Sequence, residues 1–326
     1  MGLELLNSEL RIFAKSLLTL AKVGEVIFFL WEDKLSVRIV NPIKSGFVDI
    51  TYDQDFFNAY KKPNVSKNFK ISSKAVMKVF SCTSFIEKNV ISCSIKLSPD
   101  STYLFVKFQC AHELYRSFRM PITDCRKKVA AVYDKKATKN HLTVPTKILS
   151  EVMTVFRSDS DEIVMQINQE NCLIKNAVDF GQDSKAIETQ VILENDEFSR
   201  YQVDHPNSEY NFTLKELKTI LPLIDYLSKE INIDTQESGF PVIFSCTDNK
   251  LYSLELVLAT SLSGQPSSSG SSLPTMQVDL DKPKSKSLKR TREKTPPISN
   301  NSPNLLARVQ FTTFQIIQFS RNHVQF

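Results

Sequence analysis

The sequence predicts an α+β fold of two similar halves, each with two short helices packed on antiparallel sheet, followed by a disordered C-terminal tail. Three observations carry that reading. Amphipathic helical segments recur near residues 8, 73, 146 and 213, and several β-patterned runs fill each nearly constant interval. A charge-rich stretch, 121–141, separates the two pairs of helices and reads as a connector. Beyond Thr260 the composition changes to SLSGQPSSSGSSLP, which cannot bury enough apolar surface to fold. The implied organisation is an N-terminal subdomain at 1–120, a connector at 121–141, a C-terminal subdomain at 142–260 and a basic tail at 261–326.

The first helix, 8–23, has the clearest pattern. At about 100° per residue, Leu10, Phe13, Ala14, Leu17, Leu18, Leu20 and Ala21 share one apolar face, and Arg11, Lys15 and Lys22 form a stripe beside it. Asn7 or Ser8 is the expected N-cap, and Gly24 the expected left-handed stop. Residues 26–31 and 35–40 read as a hairpin about Glu32-Asp33-Lys34, and 46–52 as the next strand. The second helix starts after Ser72 or Ser73, with Lys74, Lys78 and Ser81 opposite Val76, Val79 and Phe80. Strands are expected at 85–97, 103–110 and 114–120.

After the connector, Pro145 should open the third helix, which runs to Phe156. There Lys147, Glu151 and Thr154 take the places of Lys74, Lys78 and Ser81. Strands are expected at 162–167, 172–178 and 187–193. The fourth helix begins with a capping box, Thr213 and Glu216, and buries Leu217, Ile220, Leu221 and Ile224. Lys215 and Lys218 lie on its polar side, and Pro222 should kink it. Strands at 231–235, 242–246 and 254–260 complete the body.

Net charge is +5, but from Ser261 onward nine Lys and Arg stand against three Asp and Glu, leaving a body of 32 basic and 33 acidic residues. Anion binding by the body must therefore come from local stripes. The six cysteines include no CxxC pair, and the closest, Cys82 and Cys93, are 11 residues apart, so buried thiols of a reducing compartment are expected. Charges within the first 30 residues exclude a signal-peptide core, and no run approaches the roughly 20 apolar residues of a membrane span. No membrane partner is expected.

No GxGxxG, Walker loop or GxSxG occurs, and His112, His141, His205 and His323 are isolated in sequence. No catalytic residue, metal site or cofactor is expected. The best carboxylate cluster, Asp159, Asp161 and Glu162, could imitate a metal-dependent nuclease but reads as a solvated turn. In the tail, Lys282, Lys284, Lys286, Lys289, Arg290, Arg292 and Lys294 resemble a nuclear localisation signal, so the expected compartment is the nucleus. Thr295-Pro296 and Ser302-Pro303 are candidate phosphorylation sites. The apolar final stretch, LLARVQFTTFQIIQFSRNHVQF, is either a partner-binding segment or a terminus with no selected structure.

With the apolar faces of all four helices on sheets, their opposite faces would line one common surface. It would carry Arg11, Lys15, Lys22, Lys74, Lys78, Lys147, Lys215 and Lys218, a set suited to the phosphates of double-stranded DNA without base readout.

Ala21-Lys22-Val23-Gly24-Glu25, Phe56-Phe57 with Tyr60, Phe212-Thr213-Leu214-Lys215-Glu216-Leu217, Pro241-Val242-Ile243-Phe244 and Val257-Leu258-Ala259-Thr260 together resemble the Rad-nine family. That family supplies the tail-bearing subunit of the nine-one-one checkpoint clamp. The resemblance, over 1–260, implies a sliding-clamp fold like that of proliferating cell nuclear antigen. It also implies a heterotrimer with Rad-one-like and Hus-one-like subunits, a clamp loader, and repair enzymes received in a groove under the connector. By the same resemblance that groove would be walled by Val40, Ile43, Val132, Pro241 and Leu258. Ring closure would come from edge strands near 114–120 and 187–193. The short, basic tail departs from the family's long acidic ones. A homotrimeric replication processivity clamp is the rival reading, and the Ser-rich basic tail argues against it.

Overall fold

The computed structural model describes residues 2–61, 67–125, 129–131, 133–156, 162–177, 187–248, 251–261 and 315–318, the last four as backbone only. The first half runs β1 (Gly2–Leu6), α1 (Asn7–Val23), β2 (Val26–Leu30), β3 (Lys34–Val40), β4 (Gly46–Asp53), a 3-10 turn (Gln54–Phe56), β5 (Ala59–Lys61), β6 (Lys67–Ile71), α2 (Ser73–Phe80), α3 (Thr83–Asn89), β7 (Val90–Leu97), β8 (Tyr103–Cys110) and β9 (Tyr115–Pro121). The connector holds β10 (Thr123–Asp124) and a 3-10 turn (Lys135–Ala137). The second half follows as β11 (Asn140–Pro145), α4 (Thr146–Val155), β12 (Glu162–Ile167), β13 (Asn171–Asn176), β14 (Thr189–Glu194), a 3-10 turn (Asn195–Glu197), β15 (Arg200–Val203), β16 (Ser208–Thr213), α5 (Leu214–Leu227), β17 (Glu230–Thr235), β18 (Val242–Asp248) and β19 (Tyr252–Leu258). Apart from α3, the described elements of the halves match one for one. A last strand, β20 (Gln315–Gln318), lies far along the tail.

The sheets repeat as well. The first half has β6-β2-β3-β4 and β5-β1-β7-β8-β9, and the second has β16-β12-β13-β14 and β15-β11-β17-β18-β19. β4 and β19 pair antiparallel from Tyr52↔Tyr252 to Gly46↔Leu258, which fuses one sheet of each half into a sheet that, with β10 of the connector beside β6, has ten strands. Across this joint the helices form one layer, with α2 against α1, α1 against α5 and α5 against α4. Phe13, Leu17, Val76, Phe80, Leu149, Met153, Leu217 and Ile224 enter a single core with the inner sheet faces, so the exposed side of every helix points away from the sheets.

A sequence relic of the repeat lies after β4 and β14. Asp53-Gln54-Asp55-Phe56-Phe57-Asn58-Ala59-Tyr60 corresponds to Glu194-Asn195-Asp196-Glu197-Phe198-Ser199-Arg200-Tyr201. The Tyr60 hydroxyl lies 2.8 Å from the carbonyl oxygens of Trp31 and Lys34, at the β2–β3 turn. Tyr201 lies 2.8 and 2.6 Å from those of Asn168 and Asn171, at the β12–β13 turn. Burial raises both hydroxyls, Tyr60 to about 12, so both keep the proton they donate.

The joint is locked by a buried polar clasp. Asn41 Nδ2 donates to Glu216 Oε1 on α5 at 2.7 Å and to Ser45 Oγ at 2.9 Å, while Gly46 N donates to Asn41 Oδ1 at 3.0 Å. A Cβ on Gly46 would stand 3.0 Å from Glu216 Cγ, so any side chain there would have to push the clasped Glu216 aside by a few tenths of an ångström.

Several local expectations are corrected. Residues 83–89 form α3, and the strand expected from Phe85 begins at Val90. Asn7 does not cap α1; its amide donates to the Ile86 and Val90 carbonyls, and Leu6 takes the cap position without a side-chain bond. Gly24 is extended (φ −179°) rather than left-handed, and an added Cβ would stand 3.2 Å from the Val40 carbonyl. Pro145 ends β11, and α4 starts at Thr146. The Thr213–Glu216 capping box is absent, because the Thr213 hydroxyl donates to Glu216 Oε2 while Glu216 reaches Asn41. α5 continues through the exposed Pro222 to Leu227.

Glu216→Ala leaves the buried Asn41 amide without one of its two acceptors and should lower stability by about 1–3 kcal/mol, whereas Glu216→Gln, which still accepts, should recover most of that loss. The check is the denaturation midpoint of the three proteins.

Candidate nucleic-acid interface

The helix layer displays the basic residues unequally. Arg11 and Lys22 on α1, Lys74 and Lys78 on α2, Lys147 on α4 and Lys215 on α5 are exposed. Lys15 and Lys218 are half-buried and have structural partners. Lys15 Nζ sits 3.6 Å above the Tyr226 ring, bridging α1 to α5. Burial lowers its pKa, while nearby Asp225 and Glu87 pull the other way. Lys218 Nζ donates to the Phe156 carbonyl at 2.7 Å and closes the C-terminal end of α4. Arg11 reaches the Glu87 carbonyl at 3.2 Å from an exposed position. Lys88 and Lys229, which helical periodicity did not single out, are also exposed at helix ends.

The connector crosses the opposite, outer face of the ten-stranded sheet. Val129 joins Phe29, Phe47, Ile243 and Val257 in a small cluster, with Val40, Ala131, Tyr133 and Ala259 packed against it. Polar bonds pin it on both sides. Arg38, held by Asp49 at 2.8 Å, donates to the Val129 carbonyl at 3.0 Å, while Lys135 (2.6 Å) and the Tyr133 hydroxyl both reach Glu255. Burial alone would raise Glu255, but these two donors hold its carboxyl below the usual range.

Of the expected groove wall, Ile43 is 64% exposed, and Val40 and Pro241 are half-buried. Val132 lies outside the described residues. Leu258 is corrected: it is fully buried on the inner face, because adjacent strand residues point to opposite sides and Val257 is the outward one. Phe240, beside Pro241, is 45% exposed and was missed. The Ala259 amide donates to the Ser45 carbonyl and the Thr260 hydroxyl to the Phe240 carbonyl, which brings the Ile43 turn and Phe240 to either side of 259–260.

The tail residues 282–294, Thr295 and Ser302 lie outside the described residues, as do Asp159 and Asp161. Glu162, the third member of that carboxylate cluster, accepts from Asn211. Among the described residues no group of His, Cys, Asp and Glu is placed to hold a metal ion, and no helix is long and apolar enough to cross a membrane.

A family model described as Rad9 matches residues 13–261. The cell cycle checkpoint protein hpr-9 of Caenorhabditis elegans is 24% identical over 272 residues, covering 78% of this chain and 51% of that protein. The cell cycle checkpoint control protein Rad9 of Drosophila melanogaster is 24% identical over 257 residues, covering 78% and 55%. The DNA repair protein rad9 of Schizosaccharomyces pombe is 20% identical over 299 residues, covering 78% and 69%. The chain thus spans about half the length of the worm and fly relatives it matches. Among solved structures, PCNA of Thermococcus kodakaraensis superposes with a TM-score of 0.65 at 15% identity, over 80% of this chain and 99% of that one. The fold is the clamp fold.

Lys218→Met should cost about 1 kcal/mol by stripping a carbonyl of its donor, whereas Lys147→Met and Lys215→Met should stay within about 0.5 kcal/mol. Chemical denaturation of the single variants would separate the lysine that holds the fold from those left free for an anion.

Proposed function

The chain belongs to the Rad9 family, and from that premise we propose that it is one subunit of a heterotrimeric DNA damage checkpoint clamp that encircles duplex DNA. The observation that carries this reading is the unbroken helix layer across the β4–β19 joint, with exposed basic residues on α1, α2, α4 and α5. Bonds from such residues go to phosphates and are blind to base sequence, so a ring trapped around DNA can slide.

The internal repeat supports a ring. β4 and β19 are the strands that join the halves, and their counterparts in the other half are β14 and β9. β9 ends its sheet, and β14 ends the β16-β12-β13-β14 unit. Pairing β14 of one subunit with β9 of the next would repeat the internal joint and close a head-to-tail ring. The neighbours would be the Rad-one-like and Hus-one-like subunits, set on DNA by a clamp loader. Checkpoint and repair proteins would dock at the outer face, where Ile43 and Phe240 stand exposed near the pinned connector. The role is non-catalytic and nuclear, with the basic cluster at 284–294 serving import and Thr295 and Ser302 as phosphorylation sites.

Two measurements test this. By mass, the chain should form a 1:1:1 ring with its two relatives; a trimer of the chain alone would establish the homotrimeric reading. In the assembled ring, changing Arg11, Lys22, Lys74 and Lys78 together to Glu should weaken duplex binding at least about tenfold and flatten the dependence of log K on log salt by about 0.9 for each phosphate no longer neutralised. Unchanged binding would remove DNA from the helix layer.

A further inference from the structure

In the proposed ring a subunit would close through two edges, β9 and β14, whose side chains differ. β9 carries exposed Arg116 and Arg119, and Arg119 is held 3.5 Å over the Tyr103 ring, so its edge is blunted by charge. β14, Thr-Gln-Val-Ile-Leu-Glu, has no basic residue, and its Val191 and Leu193 are buried. An edge of this kind, uncharged from Thr189 to Leu193 and carrying only the carboxylate of Glu194 at its end, invites an extended chain.

In this structure the edge is taken. β20 pairs parallel with β14 in a continuous register, Thr189↔Gln315, Gln190↔Ile316, Val191↔Ile317 and Ile192↔Gln318. We propose that Gln315–Gln318 is a built-in plug of the β14 edge, which shields it in the free subunit and must leave before a neighbouring subunit's strand can pair there. The inference rests on the ring reading, since it takes β14 as a closing edge.

The route is short enough. The tail departs where Ser261 N donates to the Asn211 carbonyl on β16, in the same sheet as β14. Four strand spacings, roughly 19 Å, separate the position of β16 from that of β20. Residues 262–314 supply about fifty residues at up to about 3.3 Å each, several times what is needed. Charge suits the edge as well. From Leu305 onward there is no acidic residue, so nothing in the segment repels Glu194 at the end of β14. Because the segment is tethered, its pairing is intramolecular and needs only modest intrinsic affinity.

The test is Ile316→Pro together with Ile317→Pro in the full chain. Consecutive prolines remove a ladder donor whichever residue faces β14, and they alter nothing in the folded body. Hydrogen exchange at the outward amides of 189–194 should quicken by about tenfold or more in the variant, and its affinity for the two related clamp subunits should rise severalfold. Unchanged exchange would overturn the plug. Faster exchange with unchanged affinity would overturn its competition with closure. If neither protein binds the related subunits, the ring reading fails, and the exchange result still reports on the strand pairing by itself.

Discussion

The β4–β19 pairing is the constraint on which the rest of the structure depends. It makes one sheet out of two halves that share no helix, and strand pairing fixes register, so the halves cannot slide past each other. The Asn41–Glu216 clasp sits at the Gly46 end of this joint, and the buried Tyr52–Tyr252 pair at the other. A polar bond buried at the seam adds less net stability than its gross strength, but leaving it unmade is costly, so it selects one arrangement. From that arrangement follows the side-by-side order of the helices. α1 and α5 come from different halves, and Lys15 over Tyr226 marks where they meet.

That order gives the basic residues their meaning. On isolated helices, Arg11, Lys22, Lys74, Lys78, Lys147 and Lys215 would be ordinary solubilising groups. Set in one layer, they become a field spread over a surface rather than a pocket for one anion. The division between these six and the pair Lys15 and Lys218 is equally physical. An ammonium resting on an aromatic ring, or bonded to a helix-end carbonyl, has already committed its reach to the fold.

Long amphipathic periods were legible because burial imposes them. α1, α2 and α5 lie close to where Leu10, Val76 and Leu217 put them, and α4 close to where Lys147, Glu151 and Thr154 put it. Helix ends were not legible, because their polar residues serve distant partners: Asn7 bonds the end of α3 and the start of β7, and Glu216 bonds Asn41. Strands such as β5, β6 and β15 escaped notice since they are short and carry Lys61, Lys70 and Arg200. The groove wall failed at Leu258 by one residue, the smallest error that turns a strand's outer face into its inner one. A stronger repeat signal was present and unused. Phe57 with Tyr60, and Phe198 with Tyr201, keep the same spacing after β4 and β14, and the two tyrosines bond equivalent turns.

The internal joint and the proposed joint between subunits are versions of one pairing, yet their side chains differ in a way that suits different lifetimes. Inside the chain, β4 meets β19 with Phe47, Val48, Ile50, Leu254, Leu256 and Val257 all buried, and the clasp completes it. Such a seam comes apart only when the protein unfolds. At the outer edges, β9 offers arginines held by aromatic rings and β14 offers an apolar strand that ends in Glu194. An edge with guanidinium groups stays soluble alone and gains from a partner with a carboxylate, while an edge uncharged up to its terminal Glu194 gains from cover. On the proposed ring reading, this asymmetry would let a subunit exist free and still close: one edge protected by charge, the other by the strand of its own tail that pairs with it.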